Sequence, residues 1–214
     1  MSALLHEQLA RRPDVMQRLA EQQITLCGAG ALGANLAESL ARAGCGQLKV
    51  IDRDRVEEHN LSTQPWQRSD VRQHKAKILA NTLYRAVGAR VDAVQTELTD
   101  DNAGALLAGA DLVVDCFDNR AARLAVQTAV RASGQACVHA GLSGDGYGEV
   151  VWDEHYTVPS DGGEDVCDYP LARNLVMMTV SILAEVVIGH VGLGECRSFA
   201  VTLGDLKVSP LHAT

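Results

Sequence analysis

Residues 27–33, Cys-Gly-Ala-Gly-Ala-Leu-Gly, stand between an apolar run, Ile24-Thr25-Leu26, and an amphipathic segment at 34–41. A second apolar run, Leu48-Lys49-Val50-Ile51, ends on Asp52. Strand, glycines, helix, strand and acid in this order read as the βαβ opening of a nucleotide-binding fold. Gly28, Gly30 and Gly33 permit a tight turn, close approach of backbone N–H groups to phosphate, and close packing of helix on strand. The helix N-terminus adds positive potential at the same point. Asp52 is placed to accept from a ribose hydroxyl. The pattern leaves the nucleotide open, and a Rossmann dehydrogenase using NAD satisfies it as well as ATP chemistry does.

The 214 residues suffice for one sizeable α/β domain, and a chain with 47% hydrophobic and 21% charged residues has the balance of an ordinary globule. A formal net charge of −8 leaves no surplus of Lys and Arg to neutralise phosphates, so neither nucleic acid nor an anionic membrane is an expected partner. The longest apolar region, Leu175 to Ile188, is interrupted by Thr179, Ser181 and Glu185, so no membrane span is expected. The polar, helically patterned N-terminus is unlike a signal peptide, and a cytoplasmic location is expected. Six cysteines (27, 45, 116, 137, 167 and 196) form no CxxC pair, so most are read as small buried hydrophobes and no zinc is expected.

Apolar periodicity predicts a helix from about Ala3 to Glu21, interrupted near Pro13, and then strand 23–27, helix 31–43 and strand 47–52. The polar stretch from Arg53 to Arg72 is longer than an ordinary connection and reads as functional. Further on, the pattern predicts helix 73–87, strand 90–95, helix 101–108, strand 112–115, helix 120–133, and strands 136–141 and 147–152. A loop covers 153–170, followed by helix 171–190 and two short strands near 198–203 and 206–209. The expected organisation is an N-terminal helical segment, 1–22, and a single domain, 23–214. The domain is α/β: a Rossmann-like mixed sheet of about eight strands, parallel in its first half and antiparallel in its second, with helices on both faces.

The cluster Asp115-Cys116-Phe117-Asp118-Asn119 ends a central strand, where ligands of open α/β sheets bind. A carboxylate there suits a magnesium-bound triphosphate better than a nicotinamide cofactor, since Mg²⁺ prefers oxygen ligands close to phosphates. Lys75, at a helix start, can supply a point charge to the same triphosphate. Asn119 is equally suited to capping the helix that follows. His139 reads as a satisfied strand residue, and Trp66 and Tyr84 as packing residues.

With these residues in view, the chain resembles the ThiF/MoeB/HesA family, the ubiquitin-activating-enzyme-like adenylyltransferases. The resemblance rests on GAGALG at 28–33, Asp52-Arg53-Asp54-Arg55-Val56, His59-Asn60-Leu61 with Gln64, Lys75-Ala76, and Asp118-Asn119 with Arg123. It implies an eight-stranded, partly antiparallel sheet, usually in a homodimer, and attack of a carrier protein's C-terminal carboxylate on the α-phosphate of ATP. The carrier would be a small ubiquitin-like or sulfur-carrier protein ending in Gly-Gly.

By position, Gly28, Gly30, Ala31 and Gly33 would hold the nucleotide, with Asp52 on the ribose and Asp54 beside it. Asn60, Thr63, Gln64 and Lys75 would surround the phosphates. Asp118 would hold Mg²⁺ next to Asn119, and Cys167 would take the activated carrier as a thioester or persulfide.

The chain departs from the family in two places. Thr63 stands where the family's Asn-Leu-x-Arg-Gln carries a phosphate-contacting arginine, with Arg68, Arg72 and Lys77 as candidate substitutes. The N-terminal Arg-Tyr-x-Arg-Gln segment, which sends an arginine into a partner's site, is absent, leaving Arg11, Arg12 and Arg18 as stand-ins. Beside the adenylyltransferase stand two alternatives, an NAD-dependent oxidoreductase and a degenerate subunit that binds without turnover.

Overall fold

The computed structural model describes residues 4–160 and 171–211. The interruption expected near Pro13 is a full break: α1 spans Leu5–Ala10 and α2 spans Pro13–Glu21, with the proline at the first helical position, where its missing N–H costs nothing. Then follow β1 (Gln23–Cys27), α3 (Ala31–Ala43), β2 (Gln47–Ile51), α4 (Lys75–Val87), β3 (Val91–Val94), α5 (Ala103–Leu107) and β4 (Leu112–Asp115). The chain continues through α6 (Arg120–Ser133), β5 (Ala136–Leu142), β6 (Tyr147–Trp152), α7 (Arg173–Leu193), β7 (Ser198–Thr202) and β8 (Lys207–Leu211).

These strands form one eight-stranded sheet in the order β3-β2-β1-β4-β5-β6-β7-β8. Pairings from β3 through β5 are parallel, and those from β5 through β8 are antiparallel. Alternation along each parallel strand divides the core. Ile24, Leu26, Val50 and Val114 join the apolar sides of α3, α4 and α7, whereas Cys27, Ile51, Val113 and Cys137 join α5 and α6. Helices therefore cover both faces, as expected. The chain leaves β1 toward β2 and β3, then returns to β4 on the other side of β1, so the switch point lies beyond the C-terminal ends of β1 and β4.

The polar stretch after β2 folds in part into short 3-10 turns, at Glu58–Ser62 and Arg68–Asp70. Two details differ from the sequence expectation. Tyr84 lies 59% exposed on α4 and packs no core. The second concerns α7: it has 21 residues, and an 18-residue window within it has a mean hydropathy of 1.9, so it is long and apolar enough by length and composition to cross a membrane. In this fold α7 packs on α2, α3, β6 and β7, which accounts for an apolar surface that is not confined to one stripe.

Candidate active site

The turn after β1 places Gly28 at φ +97°, a left-handed conformation that favours glycine. A Cβ on Gly33, in the first turn of α3, would collide with the carbonyl oxygen of Gly28. Helix and turn therefore approach as closely as the sequence pattern requires. A Cβ on Gly28 would lie 3.2 Å from the carbonyl oxygen of Cys116, so the loops after β1 and β4 meet at the switch point.

Asp52, at the end of β2, fixes this turn. One oxygen accepts from the backbone N–H of Ala29 at 2.6 Å and the other from that of Asp54 at 2.7 Å. Burial holds its carboxyl above the ordinary value, offset in part by Lys75 and by these two N–H groups. The structure thus shows Asp52 as an anchor of the turn, where the sequence suggested a ribose ligand.

Next to the turn is a cavity of about 1040 Å³, and its lining brings together Gly30, Ala31, Asp54, Asn60, Thr63, Gln64, Lys75 and Asp118. These residues come from five separate stretches of sequence. Asn60 accepts the backbone N–H of Glu57 at 3.0 Å, and Gln64 accepts the indole N–H of Trp66 at 2.7 Å. Each of these donors faces the amide oxygen, so the NH₂ group is what each side chain can offer a ligand. Lys75, only 8% exposed at the first position of α4, has its Nζ 3.3 Å from Asp54. This wall is rich in donors and suits an anion.

Asp118 is exposed on the same lining and has no hydrogen-bond or ion-pair partner among the described residues. An unengaged carboxylate beside an anion site fits a hard divalent cation that takes its remaining oxygens from ligand and water. No cluster of three metal-ligating side chains occurs among the described residues, so the remaining oxygens would have to come from those sources. Asn119 turns away to its capping role, its Oδ1 accepting from the backbone N–H of Ala122 at 2.9 Å. Gly28, Gly33, Asp52 and Asn119 support the cavity without forming its wall. Cys167 lies outside the described residues.

Beneath the cavity is a polar network that the sequence did not reveal. Arg123 donates to the Tyr156 hydroxyl and to the Ala140 carbonyl, both at 2.8 Å, and lies 3.5 Å from the fully buried Asp115. Burial works against the Arg123 charge, but Asp115 and Tyr156 override it and hold the pKa above its ordinary value. His139, also fully buried, contacts Asp115 at 2.9 Å and Asp153 at 3.1 Å and stacks on Tyr156 with ring centroids 4.0 Å apart. It is satisfied, as expected. Arg123 was visible only as part of a motif, whereas Tyr156 had no local signal, being 33 residues away in sequence.

Residues 5–164 match the ThiF family. The chain belongs to that family. Among its ThiF-type relatives, a sulfur carrier protein ThiS adenylyltransferase of Bacillus subtilis is 36% identical over 121 residues, covering 55% of this chain and 36% of that protein. A sulfur carrier protein adenylyltransferase of Thermus thermophilus is 36% identical over 129 residues, covering 59% and 47% respectively. The chain spans between about a third and a half of the length of these two relatives. The fold is also that of Escherichia coli MccB crystallised with ATP, at a TM-score of 0.76 and 17% identity over 93% of this chain and 66% of that one.

The ThiF departures can now be located. Thr63 is in the cavity lining, and its carbonyl accepts from Asn35 Nδ2 and from Arg173 Nη1, both at 3.0 Å. None of Arg68, Arg72 and Lys77 is in that lining, so the expected substitutes do not bring their charge to the cavity. Arg11 is paired with Glu7 and Glu185, Arg12 with Asp14, and Arg18 donates to the Gly192 carbonyl at 3.0 Å. All three N-terminal stand-ins are engaged within their own chain.

Proposed function

We propose that this chain is an ATP-dependent adenylyltransferase that activates the C-terminal carboxylate of a small ubiquitin-like or sulfur-carrier protein ending in Gly-Gly. The observation that carries this reading is that a glycine turn, the amides of Asn60 and Gln64, the ammonium of Lys75 and the carboxylate of Asp118, which has no partner among the described residues, converge on one cavity at the switch point. The names of the relatives support it, as does ATP in the MccB crystal. The NAD reading has less support, since the cavity's donors and free carboxylate suit a polyphosphate with its cation.

In the proposed reaction a carboxylate oxygen of the carrier attacks the α-phosphorus. The bond from that phosphorus to the oxygen bridging to the β-phosphate breaks, and pyrophosphate leaves with the electron pair. The carboxylate is already the nucleophile, so no general base is required. Catalysis then rests on holding the reactants in line and on placing positive charge where the phosphate becomes more negative. Lys75, Asn60 and Gln64 would hold the phosphates, Asp52 and the turn Gly28–Gly33 the nucleoside end, and Asp118 a Mg²⁺ ion. Bound there, Mg²⁺ would neutralise phosphate charge. We further propose that the active form is a homodimer and that the Cys167 thiolate attacks the acyl carbon of the adenylate, forming a thioester as AMP leaves with the electron pair.

Incubating the chain with ATP, Mg²⁺ and a Gly-Gly-ended carrier should give a carrier heavier by one adenylyl group on intact-mass analysis. A carrier of unchanged mass, with free nucleotide unconsumed, would count against the reading. Cys167→Ser should leave adenylation in place and abolish the thioester; if that product still forms, the cysteine has no such role.

A further inference from the structure

Four side chains able to carry positive charge line the cavity: His59, Lys75, Arg120 and Arg123. Three of them are engaged. His59 Nδ1 lies 3.5 Å from Glu57, Lys75 Nζ lies 3.3 Å from Asp54, and Arg123 is bound to Tyr156, Ala140 and Asp115. Arg120 makes no hydrogen bond or ion pair with any described residue.

Its position makes that notable physically. Arg120 is the first residue of α6, where the aligned peptide dipoles present their positive end and disfavour a cation. Neither a local ion pair nor the helix rewards an arginine here, and an anion in the cavity would satisfy both charge and donors. Lys75 and Arg123 are buried whereas Arg120 is exposed, so it occupies the solvent side of the lining. Thr63 lines the same cavity with a hydroxyl and no charge.

We infer that Arg120 is a polyphosphate-binding residue that clamps the β- and γ-phosphates of the nucleotide at the open side of the cavity. The inference rests on the adenylation reading and extends it. A guanidinium offers a planar, two-pronged donor that fits adjacent phosphate oxygens, and its unengaged side chain is free to reorient when the nucleotide enters. The end of the ligand it contacts is the part that departs as pyrophosphate. Arg120 would therefore act on triphosphate binding and on the leaving group, not on the nucleoside.

The test is titration of the full chain with ATP and, separately, AMP, both with Mg²⁺, for wild type, Arg120→Ala and Arg120→Lys. Loss of one charge-assisted contact should weaken ATP binding by about tenfold in the alanine variant while AMP stays within about twofold. The lysine variant should recover part of the loss, because it restores charge without the fork. Unchanged ATP affinity in Arg120→Ala would overturn the inference, and so would an equal loss of ATP and AMP, which a merely structural role produces. Unchanged ATP affinity with a raised carrier KM would assign Arg120 to the carrier carboxylate instead, again overturning it. A wild type that binds no ATP would bring down the adenylation reading itself, an outcome distinct from these.

Discussion

The carboxylate of Asp52 accepts the backbone N–H of Ala29 at 2.6 Å, tying the end of β2 to the glycine turn 23 residues earlier in the chain. The turn therefore does not hold its shape through glycine alone. An acid that the sequence suggests as a ribose ligand is thus also the clamp on the turn that would hold the nucleotide.

That double role predicts a pH effect. Burial raises the Asp52 pKa, so the folded chain holds this proton more tightly than the unfolded chain does. Its contribution to stability is therefore greatest in acid and declines as pH rises through the ordinary carboxylate value of about 4 and then through the elevated folded value. Asp52→Asn should remove that decline, while costing about 1–3 kcal/mol because one of the two N–H groups loses its acceptor. Urea unfolding across pH measures both quantities; a mutant curve parallel to wild type would contradict the assignment.

Gly33 and Gly30 should respond differently to alanine. At Gly33 the added Cβ meets the Gly28 carbonyl, which belongs to backbone and cannot swing aside, whereas at Gly30 it meets nothing within 4 Å. Gly33→Ala should lower stability by about 3 kcal/mol or prevent folding, and Gly30→Ala should change it by no more than about 0.5 kcal/mol. Thermal unfolding distinguishes them, and equal effects would mean that the turn is not packed as described.

Arg123 is expected to hold the cavity floor. Arg123→Met keeps much of the volume but removes the cation from Asp115, whose side chain is fully buried. Stranding a buried charge in this way costs about 3 kcal/mol or more. Denaturant unfolding should record a lower midpoint with an unchanged slope; a midpoint equal to wild type would show that His139 and the backbone N–H of Phe117 suffice for Asp115.

Much of the architecture was legible because it depends on local rules. The runs around Ile24, Val50 and Val113 announce strands, Gly28 to Gly33 announces the turn, and Asn119 announces the start of α6. What escaped the sequence is what the fold assembles from afar. Arg173 reaches the Thr63 carbonyl across 110 positions of sequence, and neither residue carries a mark of the other. Helix α7 is legible in the pattern over 171–190, whereas its fitness by length and composition to cross a membrane is not, because Thr179 and Ser181 look polar in sequence, yet a hydroxyl can back-bond within a helix, as Ser181 does to the Met177 carbonyl at 2.8 Å. Tyr84 was misplaced for a simpler reason: a single aromatic on an amphipathic helix says little about which edge of the stripe it occupies.

The central claim is that the cavity joins a carboxylate to the α-phosphate of ATP. Isotopic exchange of pyrophosphate into ATP tests this most directly, because it requires the reaction to run in both directions at one site. Exchange should depend on Mg²⁺ and on a carrier with a free C-terminal carboxylate, and Lys75→Ala should reduce it by about a hundredfold or more, as loss of a transition-state cation does. No exchange with any Gly-Gly-ended carrier, coupled with binding of NAD in place of ATP, would contradict the account.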